Sequence, residues 1–362
     1  MYSQTDIDEA VAAGAISAES ATALRAHIER QRHAPGVDEE HFRLVTGFND
    51  IFVAIAAAIL LFAVGFIGQQ IGPQIEPEGP SPTAGLLIAA TAWGLAEFFT
   101  RKRRMALPSI LLLLAFIGGT LATAGFGLAM IVDPDRFGEE NEMVAAGLIG
   151  AVAAAITVGA AWFHWRRFRV PITVAAGTAA AVAIAASLLL AALGDVPKLE
   201  NIMLGFLLLL GVGVFLFAMR WDASDPKRVT RRADVAFWLH LLAAPMIVHP
   251  VFTLLGLNDG DATVGEAVVV IALYVVLAIT ALAVDRRALL VSALAYVLFA
   301  LNRLFEQVGA VELNVALTAL VIGSALLLLS AFWHQARAAI VTRLPAALQG
   351  RLPYVHGQVV PA

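Results

Sequence analysis

The amino-acid sequence predicts an all-α integral membrane protein, and three observations lead to that prediction. Hydrophobic residues make up 60% of the 362-residue chain and charged residues only 14%, whereas soluble domains average about 45–50% and about 25%. Ten apolar runs have close to the ~20 residues that a helix needs to cross a bilayer. Basic residues concentrate in alternate connections between these runs. We therefore expect about ten transmembrane helices, built from repeated hairpins, after a small cytoplasmic N-terminal helical hairpin.

The predicted elements follow from the order of polar and apolar segments. Residues 1–48 are polar and predict the helical hairpin, in which Gly14 ends a first short helix and Ser17 begins a second. Residues 49–334 form the predicted polytopic transmembrane domain, and residues 335–362 form a cytoplasmic amphipathic tail. The predicted spans are residues 50–69, 84–100, 106–131, 143–163, 171–194, 201–219, 235–255, 266–284, 288–305 and 314–333.

The basic residues predict the orientation of these spans. All but three of the 24 lysines and arginines precede the first span or follow an even-numbered span; the exceptions are Arg136, Lys198 and Arg303. In membrane proteins the cytoplasmic loops carry an excess of lysine and arginine. Both termini are therefore expected in the cytoplasm, and the net charge of −4 conceals one basic and one acidic side.

Two further patterns bear on how the spans pack. Asp50 and Asp234 each open a span, and the residues after Arg103–Arg104 recur in part after Arg286–Arg287, so the first three spans echo spans seven to nine. Such repeats occur in transporters, whose binding sites lie between the repeats near mid-membrane, and they also occur in membrane proteins that transport nothing. Spans three to five are rich in small residues, among them Gly119, which lets helix backbones approach closely.

The seventh span contains the most unusual residues. His240 and His249 lie on either side of Pro245, and Pro250 follows. Ionisable groups at membrane depth are costly and indicate function, and each proline removes a backbone donor and frees a carbonyl. A kink at Pro245 would bring both histidines to one crevice, as in a proton-linked or ligand-binding broken helix, since imidazole titrates near physiological pH. The alternative is that both histidines form hydrogen bonds with neighbouring helices around a structural kink.

Four other polar residues are candidates for binding or gating. Asp50 and Asp234 stand at cytoplasmic helix starts, where a carboxylate caps free N–H groups; the alternative role is a pair of gates at an inner vestibule. Glu97 precedes Arg101 by four residues, the favoured order for a helical ion pair. Arg303 lies inside a predicted span, where it would hold an anionic group or pair with a nearby glutamate.

Several classes of function lack support in the sequence. The chain has no cysteine, which excludes disulfides, thiolate catalysis and cysteine-based metal sites. It contains no His-Glu-x-x-His, no Gly-x-Ser-x-Gly and no phosphate-binding loop. We therefore predict that the chain is not an enzyme and has no catalytic residues, no cofactor, no metal and no nucleic-acid partner.

Three features of the chain recur together in one known family. They are the turn Gly14-Ala15-Ile16-Ser17, the arginine turns between apolar hairpins, and the closing Trp333-His334-Gln335-Ala336-Arg337. In this order of parts the chain resembles a family of bacterial polytopic membrane proteins of unknown function. The resemblance covers the whole layout and implies a multi-pass protein of the bacterial inner membrane. It supplies no catalytic residues.

Two hypotheses of function follow. The first is a transporter of a small solute or a proton-coupled carrier with a pathway near spans one, seven and nine, which predicts polar side chains around a wet cavity. The second is a non-transporting scaffold or envelope sensor that acts through its N-terminal hairpin and cytoplasmic loops, which predicts a dry core. The expected partners are the lipid bilayer, a small-molecule or proton substrate in the first case, and a protein partner or a second copy of the chain in the second.

Overall fold

The structure, a computed structural model, describes most of the chain. The described residues are 11–24, 48–75, 79–132, 138–225, 230–256, 264–287, 290–294, 296–298, 301, 314–349 and 352. The chain divides into two compact units, Met1–Leu44 and Val45–Ala362. In the first unit Gly14 has a φ of +70°, residues 18–24 are helical, and the Ser17 hydroxyl accepts a hydrogen bond from the Ser20 N–H at 3.0 Å. This is a helix stop followed by a helix cap.

Every regular element of the second unit that the structure describes is helical. The helices are α1 (Phe48–Ile71), α2 (Pro82–Ala96), α3 (Ala106–Val132), α4 (Glu139–Phe168), α5 (Ile172–Leu193), α6 (Leu199–Ala223), α7 (Arg231–Leu254), α8 (Val264–Val284), α9 (Asn314–Ala331), α10 (Trp333–Val341) and α11 (Ala346–Gln349). A π-helical turn, Glu97–Lys102, continues α2, and residues 290–294 and 296–298 are also helical. The all-α prediction is confirmed for the described residues.

Seven of these helices are long and apolar enough to cross a membrane. They are α1, α2 with its π-helical turn, and α3 to α7. α9 and α10 meet at an angle of 72°. If they are counted as one bent element, they form an eighth span. The apolar helix Val268–Val284, within α8, is shorter, and most of the predicted span 288–305 lies outside the described residues. A total of about ten spans therefore stays a prediction.

The bend after α9 has a physical cause in the sequence of α10. Trp333, Arg337 and Val341 are spaced by four residues, so they share one face of the helix, and all three are buried. α10 packs against α8. Burial of this face against α8 requires α10 to turn away from the axis of α9.

α7 is the most enclosed of the seven long helices. In its most apolar stretch 56% of the residues are buried, against 33% or less in the other six. Its side chains enter three hydrophobic clusters. Val248 and Phe252 pack with α8 and α9, Leu239 and Ala243 with α5 and α6, and Ala244 with α8 and α10. The residues of α7 therefore determine how its neighbours come together.

Glycines allow close backbone contacts between several pairs of helices that are consecutive in the chain. A Cβ atom added to Gly85 on α2 would lie 2.6 Å from the Gly119 carbonyl oxygen on α3, and one added to Gly119 would lie 2.6 Å from the Gly85 oxygen. Gly147 on α4 approaches the backbone of α5 in the same way, and Gly211 on α6 approaches Met246 on α7. The predicted close packing at small residues is confirmed at Gly119, since only glycine fits there.

Candidate functional site

A carboxylate, an imidazole and a guanidinium meet in the interior of the second unit. The His240 Nε2 lies 2.8 Å from the Asp222 Oδ2, and the Arg286 guanidinium binds the same carboxylate through Nη2 and, at 3.3 Å, through Nε. His240, Asp222 and Arg286 are 0%, 2% and 3% exposed. These three residues are called the Asp–His–Arg cluster below. The cluster joins the end of α6, the third turn of α7 and the turn after α8.

The charges of the cluster indicate which nitrogen of His240 carries a proton. Asp222 is paired with Arg286, and an ionised carboxylate only accepts hydrogen bonds. His240 Nε2 therefore donates to Asp222. With a neutral imidazole the cluster contains one negative and one positive charge and is balanced. A further proton on His240 would give the three side chains a net positive charge in the helix core.

The connection between α6 and α7 is held by a hydrogen-bonded cap. The Thr230 hydroxyl accepts a hydrogen bond from the Arg232 N–H at 3.2 Å, and the Asp225 carboxylate accepts from the Thr230 N–H at 2.8 Å and from its hydroxyl at 2.7 Å. Thr230 is therefore the N-cap of α7, a role that the sequence suggests for Asp234. Asp234 lies in the first turn of the helix, where its charge complements the helix dipole.

The turn after α8 carries three consecutive charged side chains, of which two contact α10 and one enters the Asp–His–Arg cluster. Asp285, with a φ of 60°, accepts a hydrogen bond from Trp333 Nε1 at 2.6 Å, and its Oδ1 lies 3.7 Å from Arg337 Nε. Arg286 enters the Asp–His–Arg cluster. The Arg287 guanidinium lies over the Trp333 ring, 4.9 Å from its centroid. α10 therefore holds the turn from which Arg286 reaches the cluster.

Apolar and backbone groups enclose the cluster. The edge of the Phe215 ring meets the His240 ring, with centroids 5.2 Å apart. Arg286 Nη2 also donates to the Ala233 carbonyl at 3.3 Å, in the first turn of α7. The guanidinium thus contacts both α6 and α7 from the end of α8.

His249 takes part in a separate contact. Its Nδ1 lies 2.8 Å from the Tyr296 hydroxyl, and Tyr296 stacks on Phe252 with ring centroids 4.4 Å apart. His249 is exposed, and α7 is helical through Pro245. Nine residues of helix separate the two histidines by about 13 Å along the axis. The convergence of His240 and His249 on one crevice is not observed, because each binds a partner of its own.

Of the remaining residues predicted from the sequence, Asp234 lies beside the cluster, next to Ala233 and near the Arg286 charge, and the others belong to other helices or lie outside the described residues. Asp50 is buried in the first turn of α1. α1 packs on α2 and α3, whereas α7, with Asp234, packs on α5 and α6. A role for the two carboxylates as gates stays a prediction. Glu97 forms the predicted ion pair with Arg101 at 3.2 Å. Arg303 lies outside the described residues.

Asp222, Asp285 and Arg286 are absent from the residues predicted from the sequence. In the sequence all three residues lie in connections between predicted spans, where charged residues are common. A signal was nevertheless present, because Asp222 and Asp285 are acidic residues in connections that are otherwise rich in arginine. An acidic residue within such a connection is a candidate partner for an ion pair.

A third histidine is buried among aromatic side chains. His164 is 1% exposed, and its Nδ1 lies 3.1 Å from the Thr173 hydroxyl. Its ring is surrounded by Trp93, Phe116 and Phe168, with centroid distances of 6.1, 5.7 and 4.6 Å. Its Nε2 has no hydrogen-bond partner among the described residues. These contacts indicate that His164 packs the interface of α2, α3 and α4.

The Asp–His–Arg cluster contains one side chain, the His240 imidazole, that can exist with or without a second ring proton. Within the part of the chain that the structure describes, no group of three His, Asp or Glu side chains is arranged to hold a metal ion. The Asp222 carboxylate is already bound by Arg286 on one side and by His240 on the other. Gain or loss of a proton at the imidazole therefore acts directly on a buried ion pair.

Comparison with known proteins identifies no relative. No protein-family model matches the chain, and no curated protein and no solved structure match it. The family resemblance seen in the sequence therefore stays a prediction.

Proposed function

We propose that this chain is a multi-pass transporter of the bacterial inner membrane that couples the movement of a small solute to proton binding at the Asp–His–Arg cluster. The observation that carries the proposal is the burial of Asp222, His240 and Arg286 on and beside α7, the most enclosed helix. Ionisable groups are rare inside membrane proteins, and where they occur they mark proton relays and substrate pathways.

Charge balance supports a proton-binding step. Breaking a buried ion pair by removal of one partner costs about 3–5 kcal/mol, because the other charge is left uncompensated. A proton on His240 gives Asp222 a second cationic partner, so the carboxylate depends less on Arg286. In the proposed cycle, proton binding loosens the turn after α8 and proton loss restores its attachment.

The position of Arg286 supports a gate. Its guanidinium binds Asp222 on α6 and donates to the Ala233 carbonyl on α7 at 3.3 Å, so one side chain joins the ends of three helices. In the proposed cycle this end of the bundle is closed while Arg286 is bound, and it opens to the cytoplasm when Arg286 is released. The proposal includes about ten spans in repeated hairpins with both termini cytoplasmic, which assigns this end of α6 to the cytoplasmic side.

A reconstitution experiment tests the proposal. The purified full chain is placed in liposomes that enclose a pH-sensitive dye, and small metabolites of different charge are added outside. We expect solute-dependent proton movement in the wild type and its loss in His240→Asn, whose amide does not titrate. His334→Asn, at an exposed histidine outside the cluster, is the matched control and should retain the movement.

Two results would contradict the transporter. In one, no metabolite of the panel moves protons through the wild type. In the other, His240→Asn moves them as fast as the wild type does. The melting temperature of each variant distinguishes a loss of transport from a loss of folding.

The non-transporting scaffold has one observation in its favour. Each residue of the Asp–His–Arg cluster is at most 3% exposed, as expected of side chains whose role is to hold helices together. A scaffold predicts that His240→Asn lowers the melting temperature and that wild-type liposomes show no solute-dependent proton movement. The same experiment therefore decides between the two functions.

A further inference from the structure

A second group of charged residues lies at the ends of α2 and α4, separate from the Asp–His–Arg cluster. Glu97 Oε1 accepts a hydrogen bond from Arg167 Nε at 2.7 Å, and Glu97 Oε2 accepts from Arg167 Nη2 at 2.9 Å and from Arg101 Nη1 at 3.2 Å. One carboxylate thus connects two turns that are rich in arginine. Four other arginines of these turns are exposed and form no ion pair with the described residues: Arg103, Arg104, Arg166 and Arg169.

Aromatic rings hold three of these arginines close to their helix ends. The distances from guanidinium carbon to ring centroid are 5.5 Å for Arg103 over Phe98, 4.8 Å for Arg166 over Trp162 and 5.5 Å for Arg169 over Trp165. Arginine over an aromatic face gains a cation–π attraction, so each charge stays near the end of its own helix. Tryptophan concentrates at the interface between membrane and water, which is where phospholipid headgroups lie.

We propose that Arg103, Arg104, Arg166 and Arg169 form a surface that binds the headgroups of anionic phospholipids in the surrounding bilayer. The planar guanidinium matches the geometry of a phosphate group. Basic residues next to membrane spans attract anionic lipids. Phe163, in α4, is 61% exposed and offers an apolar contact for the acyl chains. A phospholipid therefore contacts both the arginines and the apolar side chain, whereas a soluble phosphate contacts only the arginines.

Because of Glu97, the arginines of these two turns are expected to differ in how much they contribute to lipid binding. Its carboxylate pairs with both Arg101 and Arg167 and offsets one of their two positive charges, so these two arginines contribute less to the binding of a second anion than the unpaired ones do. Removal of an unpaired arginine should therefore weaken lipid binding more than removal of a paired one. Removal of the Glu97 charge should strengthen it.

Lipid titration of the full chain, followed by native mass spectrometry, tests this surface independently of any transport. The probes are dioleoyl phosphatidylglycerol, dioleoyl phosphatidylcholine and soluble glycerol 3-phosphate. We expect phosphatidylglycerol to bind most tightly and Arg166→Gln to lower its affinity about fivefold. Arg166→Lys keeps the charge but loses the planar guanidinium, so its affinity should fall between those of the wild type and Arg166→Gln. Arg101→Gln, the matched control, should change it by less than about twofold.

Four outcomes would overturn the proposal. They are equal binding of the two lipids, wild-type affinity in Arg166→Gln, an equal loss in Arg101→Gln and Arg166→Gln, and competition by glycerol 3-phosphate as effective as that by the lipid. Glu97→Gln is expected to bind phosphatidylglycerol more tightly than the wild type does. Misfolding would not produce such a gain in affinity. An affinity for phosphatidylglycerol that does not rise in Glu97→Gln would also overturn the proposal.

Discussion

The Asp222 carboxylate lies 2.8 Å from His240 Nε2 and binds the Arg286 guanidinium at the same time. It is therefore shared by an imidazole, which can exist with or without a second ring proton, and a guanidinium that stays charged. The charge on His240 must affect how strongly Arg286 is held, because both act on one carboxylate. A proton gained or lost at His240 would therefore change the strength of the contact between α6, α7 and the end of α8.

The first prediction concerns the charge on Asp222. Asp222→Asn is expected to lower the free energy of unfolding by about 3–5 kcal/mol, because Arg286 remains buried without its counter-charge. The asparagine oxygen still accepts a hydrogen bond from His240, so the loss reports on the ion pair. Denaturant unfolding of the detergent-solubilised chain measures it.

A double variant controls for this prediction. Asp222→Asn combined with Arg286→Gln removes both charges, so no uncompensated charge remains, and the double variant should be more stable than Asp222→Asn alone. If instead the losses of the two single variants simply add, the two side chains contribute independently and the ion pair does not hold these helix ends together.

The second prediction concerns the attachment of α10 to the turn after α8. Trp333→Phe keeps an aromatic ring for Arg287 and removes the indole N–H that donates to Asp285 at 2.6 Å. The expected loss of unfolding free energy is about 1–3 kcal/mol, since a buried carboxylate loses a donor. Trp162→Phe, at an exposed indole that also lies under an arginine, should change it by less than about 0.5 kcal/mol. Equal losses in both variants would assign the effect to the ring and not to the hydrogen bond.

The third prediction concerns His249, which the structure pairs with Tyr296. His249→Gln and Tyr296→Phe should each lower the unfolding free energy by about 0.5–1.5 kcal/mol. The double variant should lose about as much as either single variant, because the same hydrogen bond at 2.8 Å is removed in all three. Proton movement in liposomes should persist in all of them. Loss of that movement in His249→Gln at wild-type stability would instead give His249 a direct role in function.

The fold class could be predicted from the sequence because it depends on local properties of the chain. The length of an apolar run and the residues at its ends belong to one segment, and the run predicted over 50–69 corresponds to α1, Phe48–Ile71. The ion pair of Glu97 with Arg101 was accessible for the same reason, since four residues of helix bring the two side chains together.

The candidate site depends on contacts between distant segments, which a single sequence does not indicate. Asp222 meets His240 across 18 positions and Arg286 across 64, and Glu97 meets Arg167 across 70. The arginine turns are similar to one another in sequence, so nothing local distinguishes the turn that enters the core from those that remain exposed. The difference lies in α10, whose buried Trp333 holds Asp285.

The last prediction compares two glycines of α6. A Cβ atom added to Gly211 would lie 2.9 Å from the Met246 Cβ and 3.0 Å from its backbone carbon and oxygen, whereas one added to Gly213 would meet nothing within 4 Å. Gly213→Ala should stabilise the chain by up to about 1 kcal/mol, because alanine favours the helix. Gly211→Ala should destabilise it by about 1–3 kcal/mol, because α6 must move away from α7, and this separation should also weaken the contact of Asp222 with His240. Denaturant unfolding of the two variants measures both signs, and a stabilising Gly211→Ala would show that the close approach of α6 and α7 is not required.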